Sequence, residues 1–579
     1  MAMLALAWAS CIKKPIIDTV PRRDTTKAEA IHFVLVATND WHGQLFATKE
    51  SGVQEALPRG GALTFFSMLS VLREAFPERV LWVDAGDIFH GEWAVHETRG
   101  QLAAEAFSLM GLDFAAIGSS DFDLGPSGPQ EEAQGALKAC MLRAKFPWSS
   151  ANIYSTADGT RPAWMGGGKL HMVERQGIHI GFVGLTTPTT VQLSPASHLR
   201  GLYFGDMVLA AKEGAVALRE KGAELVVLVA HVQGGCVDST DKNCELQEGE
   251  LKALLEDLPE GLVDVVVVGH SHKPLGHFSK GMPVVQTQGR GKSFSFIHLY
   301  WEPTEHRLLR DKTQLQLEIP ICEKTWPGRQ SCEGPPGPGE EAEPALFLGK
   351  PLQRDDRLAV LLEPASKKHM EKQQEWLGVE VGEPLALGEG EESALGGMWA
   401  ESLWLATKAD VALMNREALR EGLAAGALSA GRLHQSMPYD SRVALVRFTG
   451  EELRRLMQLA FGQTRFRFDV AGVELRLRCF PSGRRRVQTE LVSADGRRRA
   501  VQDKAFYWVA MPDFLAQGGN GLEGLWVEAP PRQVKLQKGL REEVVHFWLQ
   551  RREALVSPLR PRILWEDALD SCTFSKEPP

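Results

Sequence analysis

Short runs of apolar, mostly β-branched residues recur through the first half of the chain, and four of them end in an acid or a histidine. Such a run is typical of a buried β-strand, whose carboxyl end brings the next side chains to the edge of a sheet. The polar residues at the four strand ends are Asp40 and His42, then Asp87, then His231, and finally His270 and His272.

These strand ends combine residues that bind metals. Asp40 and His42 are two residues apart, so at the end of a strand they point to the same side. A carboxylate and a neutral imidazole together suit a divalent ion such as zinc or manganese. Scattered structural histidines would not all follow strands. The pattern therefore predicts a site for two divalent metal ions.

Patterns of helical period separate the predicted strands. Amphipathic stretches cover residues 61–74, 98–110, 208–221 and 248–256. Strands that alternate with helices predict an α/β layered domain that binds ligands at the carboxyl ends of its strands. We place this domain at residues 31–320.

A stretch rich in Pro, Gly and Glu follows and predicts a linker, with a helix from residue 356. We assign residues 321–375 to this linker and helix, and residues 376–579 to a second, smaller α/β domain. A chain of 579 residues is too long for a single core.

The net charge of −9 argues against a general nucleic-acid binder. Beyond the N-terminus, no run of about 20 apolar residues predicts a membrane span. Residues 1–30 are expected to form a leader and a tether, which predicts export. In a lipoprotein-like leader Cys11 would be the lipidated residue and the only link to a membrane; an ordinary leader is the alternative.

Eight cysteines agree with export. The spacing predicts two small disulfide loops, Cys236–Cys244 and Cys322–Cys332. One thiol is expected to be free among the three cysteines that remain, Cys140, Cys479 and Cys572.

The order of the segments TNDWHG, DAGD, AIGSSDFDLG, AH and GHSH resembles the calcineurin-like metallophosphatases. Together with the C-terminal half, residues 31–530 resemble the 5′-nucleotidase family, which includes periplasmic UDP-sugar hydrolases and 2′,3′-cyclic-nucleotide phosphodiesterases. The resemblance implies a four-layer α/β/β/α domain followed by a nucleotide-binding domain, and a role in nucleotide catabolism. It also implies that Asp87 bridges the metals, with Asp40, His42 and His272 on one and His231 and His270 on the other.

One motif departs from the family. Its Gly-Asn-His-Glu-Phe-Asp is here Gly-Ser-Ser-Asp-Phe-Asp, residues 118–123. Ser119 replaces an asparagine ligand and is a weaker ligand. Ser120 replaces a histidine that pairs with the aspartate at 123 and stabilises charge on the phosphoryl group. We therefore expect the dyad to be lost and Asp123 to lack its partner.

The second domain keeps part of the family's nucleotide site. Asn415 and Arg420 retain the spacing of the family's nucleotide-binding turn, although its glycines are replaced. Tyr439 and Phe514 stand where two aromatic residues stack on the base. Asn520 stands where an aspartate commonly contacts the ribose.

Two functions remain open at this point. The first is an exported metal-dependent phosphoesterase that hydrolyses a nucleotide or another small phosphoester by attack of a metal-bound hydroxide. The second is a catalytically impaired pseudo-phosphatase that binds nucleotide or a partner at the cell envelope. The retained metal ligands favour the first, and the loss of the Asn-His pair favours the second.

Overall fold

The structure is a computed structural model that describes residues 30–49, 55–89, 91–126, 132–237, 244–388, 390–463, 465–480, 484–528, 534–558 and 561–567. The predicted leader, with Cys11, lies outside these residues.

The first domain holds two large sheets. One has the strand order β14-β13-β1-β2-β3-β4, with β15 paired to β13, and the other has the order β11-β12-β10-β9-β7-β6. The strands are β1 (Ile31–Thr38), β2 (Val80–Asp84), β3 (Phe114–Ala116), β4 (Trp148–Ser149), β5 (Ile153–Ser155), β6 (His171–Arg175), β7 (Ile178–Thr186), β8 (Leu202–Phe204), β9 (Leu225–His231), β10 (Val265–Gly269), β11 (Leu275–Ser279), β12 (Met282–Gln286), β13 (Ser293–Glu302), β14 (Arg307–Leu308) and β15 (Gln314–Pro320).

Helices cover the outer faces of both sheets. The α-helices are α1 (Ala62–Ala75), α2 (Trp93–Glu97), α3 (Gln101–Met110), α4 (Gly135–Arg143), α5 (Thr190–Leu193), α6 (Met207–Glu220) and α7 (Glu250–Asp257), and short 3₁₀ helices lie at Ser120–Phe122, Ala163–Met165 and Arg310–Lys312. The facing sides of the sheets form one apolar core, with Leu35 and Val227 among its members. A second core joins β1 and β2 to α1 and α3, and a third joins β7, β9 and β10 to α6 and α7. The predicted α/β class and the four layers α/β/β/α are confirmed.

The linker forms four two-residue strands and then a long helix. These are β16 (Lys324–Thr325), β17 (Glu343–Pro344), β18 (Leu346–Phe347), β19 (Lys350–Pro351) and α8 (Asp356–Gln374). The Asp355 side chain begins α8 by accepting hydrogen bonds from the backbone N–H groups of Arg357 and Leu358. Leu358 and Leu362 pack into the core of the first domain, so α8 is attached to that domain.

The second domain is built on the sheet β24-β21-β28-β23-β29, with a four-stranded sheet β27-β26-β25-β30 beside it. Its strands are β20 (Trp376–Val381), β21 (Val411–Asn415), β22 (Gly426–Ser429), β23 (Arg442–Thr449), β24 (Phe468–Ala471), β25 (Val473–Cys479), β26 (Arg485–Val492), β27 (Arg498–Ala500), β28 (Phe506–Pro512), β29 (Val534–Gly539) and β30 (Ile563–Asp567). Its helices are α9 (Ala394–Thr407), α10 (Ala430–Ser436), α11 (Gly450–Phe461), α12 (Asp513–Ala516), α13 (Glu523–Glu528) and α14 (Leu540–Arg551), with a 3₁₀ turn at Arg416–Ala418.

The cysteines follow the predicted pairing. Disulfides join Cys236 to Cys244 and Cys322 to Cys332, with Cα–Cα distances of 5.5 and 5.7 Å. Cys479 is also disulfide-bonded. Cys140 carries a free, buried thiol.

The two domains contact each other around one cleft. The Arg290 guanidinium lies 3.3 Å from the Glu421 carboxylate. The Nε2 atom of His434 lies 3.0 Å from the Gly91 carbonyl oxygen, and the Asn520 N–H donates to the carbonyl of Gln192 at 3.0 Å. No helix among the described residues has both the length and the apolar character needed to cross a membrane.

Candidate metal centre and substrate cavity

The predicted metal ligands meet at the carboxyl ends of β1, β2, β9 and β10. Five of the six have backbone φ angles in the left-handed region, from 47° at His42 to 93° at His270. This conformation is uncommon for residues other than glycine, although Asp and His tolerate it better than most, and it concentrates at functional sites. Only His231, the last residue of β9, keeps strand geometry. The strand ends therefore turn sharply to bring their side chains together.

Asp40, His42 and His272 form the first group of potential ligands. The Nε2 atoms of His42 and His272 lie 3.1 Å apart, and each is within 3.9 Å of Asp40 Oδ1. The two rings are stacked, with centroids 5.0 Å apart and an angle of 7° between their planes. Two imidazole nitrogens and one carboxylate oxygen lie within 3.9 Å of one another and would together hold a divalent ion.

Asp87, His231 and His270 form the second group. Asp87 Oδ2 lies 3.4 Å from His231 Nε2 and 3.7 Å from His42 Nε2, so this carboxylate stands between the two groups. That position agrees with the bridging role that the family resemblance implies for Asp87.

The donor atoms fit a cation. Asp40 Oδ1 and His231 Nε2 are buried and have no hydrogen-bond partner among the described residues. The Nδ1 atom of His231 lies 2.9 Å from the carbonyl oxygen of Ala85, so Nδ1 carries a proton and Nε2 faces Asp87. Burial would lower the pKa of His231, but Asp87 and Asp40 raise it to about 10, and a bound cation would take the place of the Nε2 proton. Buried ligand atoms without partners are expected where an ion completes the site.

Burial and mutual charge shift the pKa values of these groups. Burial raises the pKa of Asp40 to about 6. Burial would also raise the pKa of Asp87, but the adjacent His231, His42 and His270 outweigh it and hold that pKa well below its usual range. Burial and the charge of His231 lower the pKa of His270 to about 3, so this imidazole stays neutral, as a metal ligand must.

The Ser119-Ser120 segment retains a positioning role through its backbone. The N–H of Ser120 donates to Asp87 Oδ1 at 2.7 Å. The Asp121 carboxylate accepts from the backbone N–H groups of Gly118 and Ile88 at 2.8 and 2.9 Å and thereby ties this turn to the one that carries Asp87. The sequence analysis did not single out Asp121, because a polar residue in a loop has no distinguishing pattern.

Asp123 has other neighbours in place of the family's histidine. Burial, and then the charge of Asp87, raise its pKa well above the usual value, whereas Arg420 opposes the rise. The side chains of Asp123 and Ser194 are hydrogen-bonded, and the Ser194 hydroxyl donates its only proton to the carbonyl of Ser119 at 2.7 Å. A protonated Asp123 that donates to the Ser194 oxygen satisfies both contacts.

Arg420 and Tyr439 reach the metal centre from the second domain. The Arg420 guanidinium donates a hydrogen bond to the Tyr439 hydroxyl, and its central carbon lies 5.4 Å from the centroid of that ring. No carboxylate of the described residues forms a salt bridge with Arg420. Burial would lower the pKa of Arg420, but Tyr439, and after it Asp123 and Asp87, raise it.

One cavity of about 620 Å³ connects the two domains. Its metal side is lined by His42, Asp87, Ser119, Ser120, Asp123, His270 and His272, and its other side by Asn415, Glu417, Arg420, Tyr439, Phe514 and Asn520. The amide of Asn415 donates to Asn520 Oδ1 at 2.8 Å. All predicted substrate-side residues therefore face the same space as most of the predicted metal ligands.

A family model described as "5'-nucleotidase, C-terminal domain" matches residues 379–526. This match lies within the second domain. A 5′-nucleotidase of Vibrio cholerae is 25% identical over 75% of this chain and 76% of its own length. A probable 5′-nucleotidase of Treponema pallidum is 23% identical over 89% of this chain and 91% of its own length.

The fold agrees with these relatives. The crystal structure of a 5′-nucleotidase precursor from Thermus thermophilus superposes with a TM-score of 0.71 at 21% identity, over 93% of this chain and all of that chain. The resemblance to the 5′-nucleotidase family is confirmed, and the named relatives support a hydrolase that acts on phosphoester bonds.

Proposed function

We propose that the protein is an exported, metal-dependent phosphoesterase that hydrolyses nucleotide phosphoesters. The observation that carries the proposal is the shared cavity, in which members of both groups of candidate metal ligands face an arginine, two asparagines and two aromatic rings. When bound, two divalent ions, zinc or manganese, would neutralise phosphate oxygens and activate a water molecule. The Cys236–Cys244 and Cys322–Cys332 disulfides support export, because such bonds persist in oxidising compartments.

In this proposal Arg420 replaces the cation that the family's histidine supplies. Ser120 cannot carry a positive charge. Arg420 brings one to the same cavity and interacts electrostatically with Asp123 and Asp87. It forms no salt bridge within the described residues and hydrogen-bonds to the Tyr439 hydroxyl. A charged donor that faces the phosphoryl oxygens stabilises charge as it develops there.

Asp123 has a second part in the reaction. Burial, and then the charge of Asp87, raise the pKa of this carboxyl well above its usual value and favour its protonated form. Asp123 lines the cavity with Ser119 and Ser120. A protonated carboxyl in this position can give its proton to the oxygen of the leaving group.

The remaining contacts fit a nucleoside. Phe514 and Tyr439 offer flat apolar faces to a base. Asn520 and Asn415 offer amide groups to the ribose, and their mutual hydrogen bond of 2.8 Å keeps both in position. The alternative of a non-catalytic binding protein is not favoured, because the relatives are named as enzymes.

The test is phosphate release from a panel of nucleotides by the purified protein with manganese or zinc. Turnover by the parent that Asp87→Ala abolishes would support the proposal. The double change Ser119→Asn with Ser120→His is the matched control, because it restores the family's motif on the same scaffold. A silent parent beside an active double variant would refute hydrolysis and support the binding protein. Silence in both would refute nucleotide phosphoesters as the substrates.

A further inference from the structure

Glu417 places a carboxylate in the part of the cavity that the second domain supplies. It lies in the short 3₁₀ turn Arg416–Ala418, directly after β21. Its side chain lines the same cavity as Asn415, Phe466 and Phe514. Neither the metal centre nor the phosphate-side contacts described above use this carboxylate.

The position of Glu417 is fixed by backbone contacts. Its Oε1 atom accepts a hydrogen bond from the Arg467 N–H at 2.8 Å. In return, the N–H of the preceding Arg416 donates to the Arg467 carbonyl at 2.9 Å. The Arg416 side chain is buried and binds both oxygens of Asp469, at 3.0 and 3.1 Å. Arg416 is therefore neutralised by another acid, and the turn is held rigidly against the start of β24.

The second oxygen of Glu417 is unused. Oε2 is buried, and no described residue donates a hydrogen bond to it. Burial raises the pKa of this carboxyl to about 7. A buried acceptor without a donor destabilises the protein, and a ligand that brings an N–H group relieves this cost on binding. Above pH 7 the ionised form of this carboxyl predominates. The ionised carboxylate offers acceptors only, so it distinguishes an amino group from a carbonyl oxygen at the same place.

We infer that Glu417 determines base specificity: it selects nucleotides whose base carries an exocyclic amino group, such as adenine or cytosine, over their oxo counterparts hypoxanthine and uracil. The inference rests on the proposed function, since it assumes that a nucleoside occupies this cavity. The amino group donates to the ionised Glu417 carboxylate, which lines the cavity, whereas a carbonyl oxygen there meets a second acceptor and is repelled. The neighbouring aromatic rings bind every base and do not discriminate in this way.

Pairs of substrates that differ only in this group provide the test. The ratio of kcat/KM for AMP to that for IMP, and for CMP to that for UMP, is measured with the parent protein and with Glu417→Gln. Leaving one buried acceptor unpaired changes affinity by about 10-fold to 100-fold, so the parent is expected to prefer AMP and CMP by that factor. Glu417→Gln places an amide donor at the same site and is expected to remove or reverse the preference. Glu451→Gln, on the exposed side of α11, is the matched control.

Ribose 5-phosphate separates recognition from folding, because it lacks a base. A loss in Glu417→Gln that is larger on AMP than on ribose 5-phosphate supports the inference. Equal losses on both, or equal kcat/KM values for AMP and IMP in the parent, would overturn it.

If the parent hydrolyses no phosphoester, the proposed function fails, and calorimetry with adenosine and inosine decides the specificity alone. Tighter binding of adenosine in the parent but not in Glu417→Gln supports the inference. Equal binding of the two nucleosides, or no binding of either, overturns it.

Discussion

Replacing Arg420 by alanine is expected to reduce kcat strongly while the metal ligands remain in place. Arg420 carries the positive charge from the second domain that acts on Asp87 and Asp123. Its side chain is half-buried and makes its hydrogen bond to a neutral phenol, that of Tyr439. Its charge is therefore available to a phosphate.

The magnitude follows from the position of this charge. At an effective dielectric constant of about 20, a unit charge about 4 Å from a phosphate oxygen contributes about 4 kcal/mol. Partial exposure of Arg420 screens this energy, so we take the lower end of the usual 10²- to 10³-fold loss and expect a decrease of about 10²-fold in kcat.

The assay is steady-state phosphate release from AMP by the parent, Arg420→Ala and Arg420→Lys. Lysine keeps the charge but not the planar group that donates to Tyr439, and it is expected to retain an intermediate rate. Added guanidinium ion should partly rescue Arg420→Ala. Ser120→His should raise the rate more in the Arg420→Ala background than in the parent, because the imidazolium then supplies the missing charge. A loss in kcat smaller than about threefold would refute this role for Arg420.

Three further predictions concern the metal site, the pH dependence of folding and the linker. Asp87→Ala is expected to lower the metal content measured by mass spectrometry, because both groups of ligands share this carboxylate. Ser120→Ala should leave the metal content unchanged. Equal metal contents in Asp87→Ala and the parent would contradict the bridging role. Burial raises the pKa of Glu92 to about 8, so the folded state binds this proton more tightly than the unfolded chain does. The free energy of unfolding should therefore fall as the pH rises from about 5 to about 8. An equally steep fall of the free energy of unfolding in Glu92→Gln would contradict this cause. Removing the Cys322–Cys332 disulfide, whose cysteines are 10 residues apart, should lower the free energy of unfolding by about 3 kcal/mol in denaturant titrations. An unchanged denaturant midpoint would show that this disulfide does not constrain the unfolded chain.

The residues of the candidate metal centre could be located from the sequence because their signal is local. An apolar run that ends in Asp or His identifies both a strand and its functional end, as at β9 with His231 and at β10 with His270. The parallel pairing of β9 with β10 and of β1 with β2 then brings these ends together. The left-handed backbone at Asp40 and Asp87 has no such local signal, since neither residue is a glycine.

The residues that the sequence analysis missed depend on contacts between distant segments. Ser194 meets Asp123 only after α5 folds beside the 3₁₀ turn at Ser120–Phe122, and Asp121 acts through the turn that carries Asp87. The loss of glycines around Asn415 indicated an altered nucleotide site. The sequence did not show that Arg416 would be neutralised by Asp469 or that Glu417 would keep an unpaired oxygen in the cavity. Those facts require the packing of β24 against β21.

The most direct test of the account is phosphate release from AMP as metal is returned to chelator-treated protein. The account predicts no turnover after chelation, and a rate that rises with added manganese or zinc until two ions are bound per chain. It also predicts that Asp87→Ala stays inactive at every metal concentration. Turnover that survives complete removal of metal, or that persists in Asp87→Ala, would contradict the central claim that the two ligand groups at the strand ends form the catalytic centre.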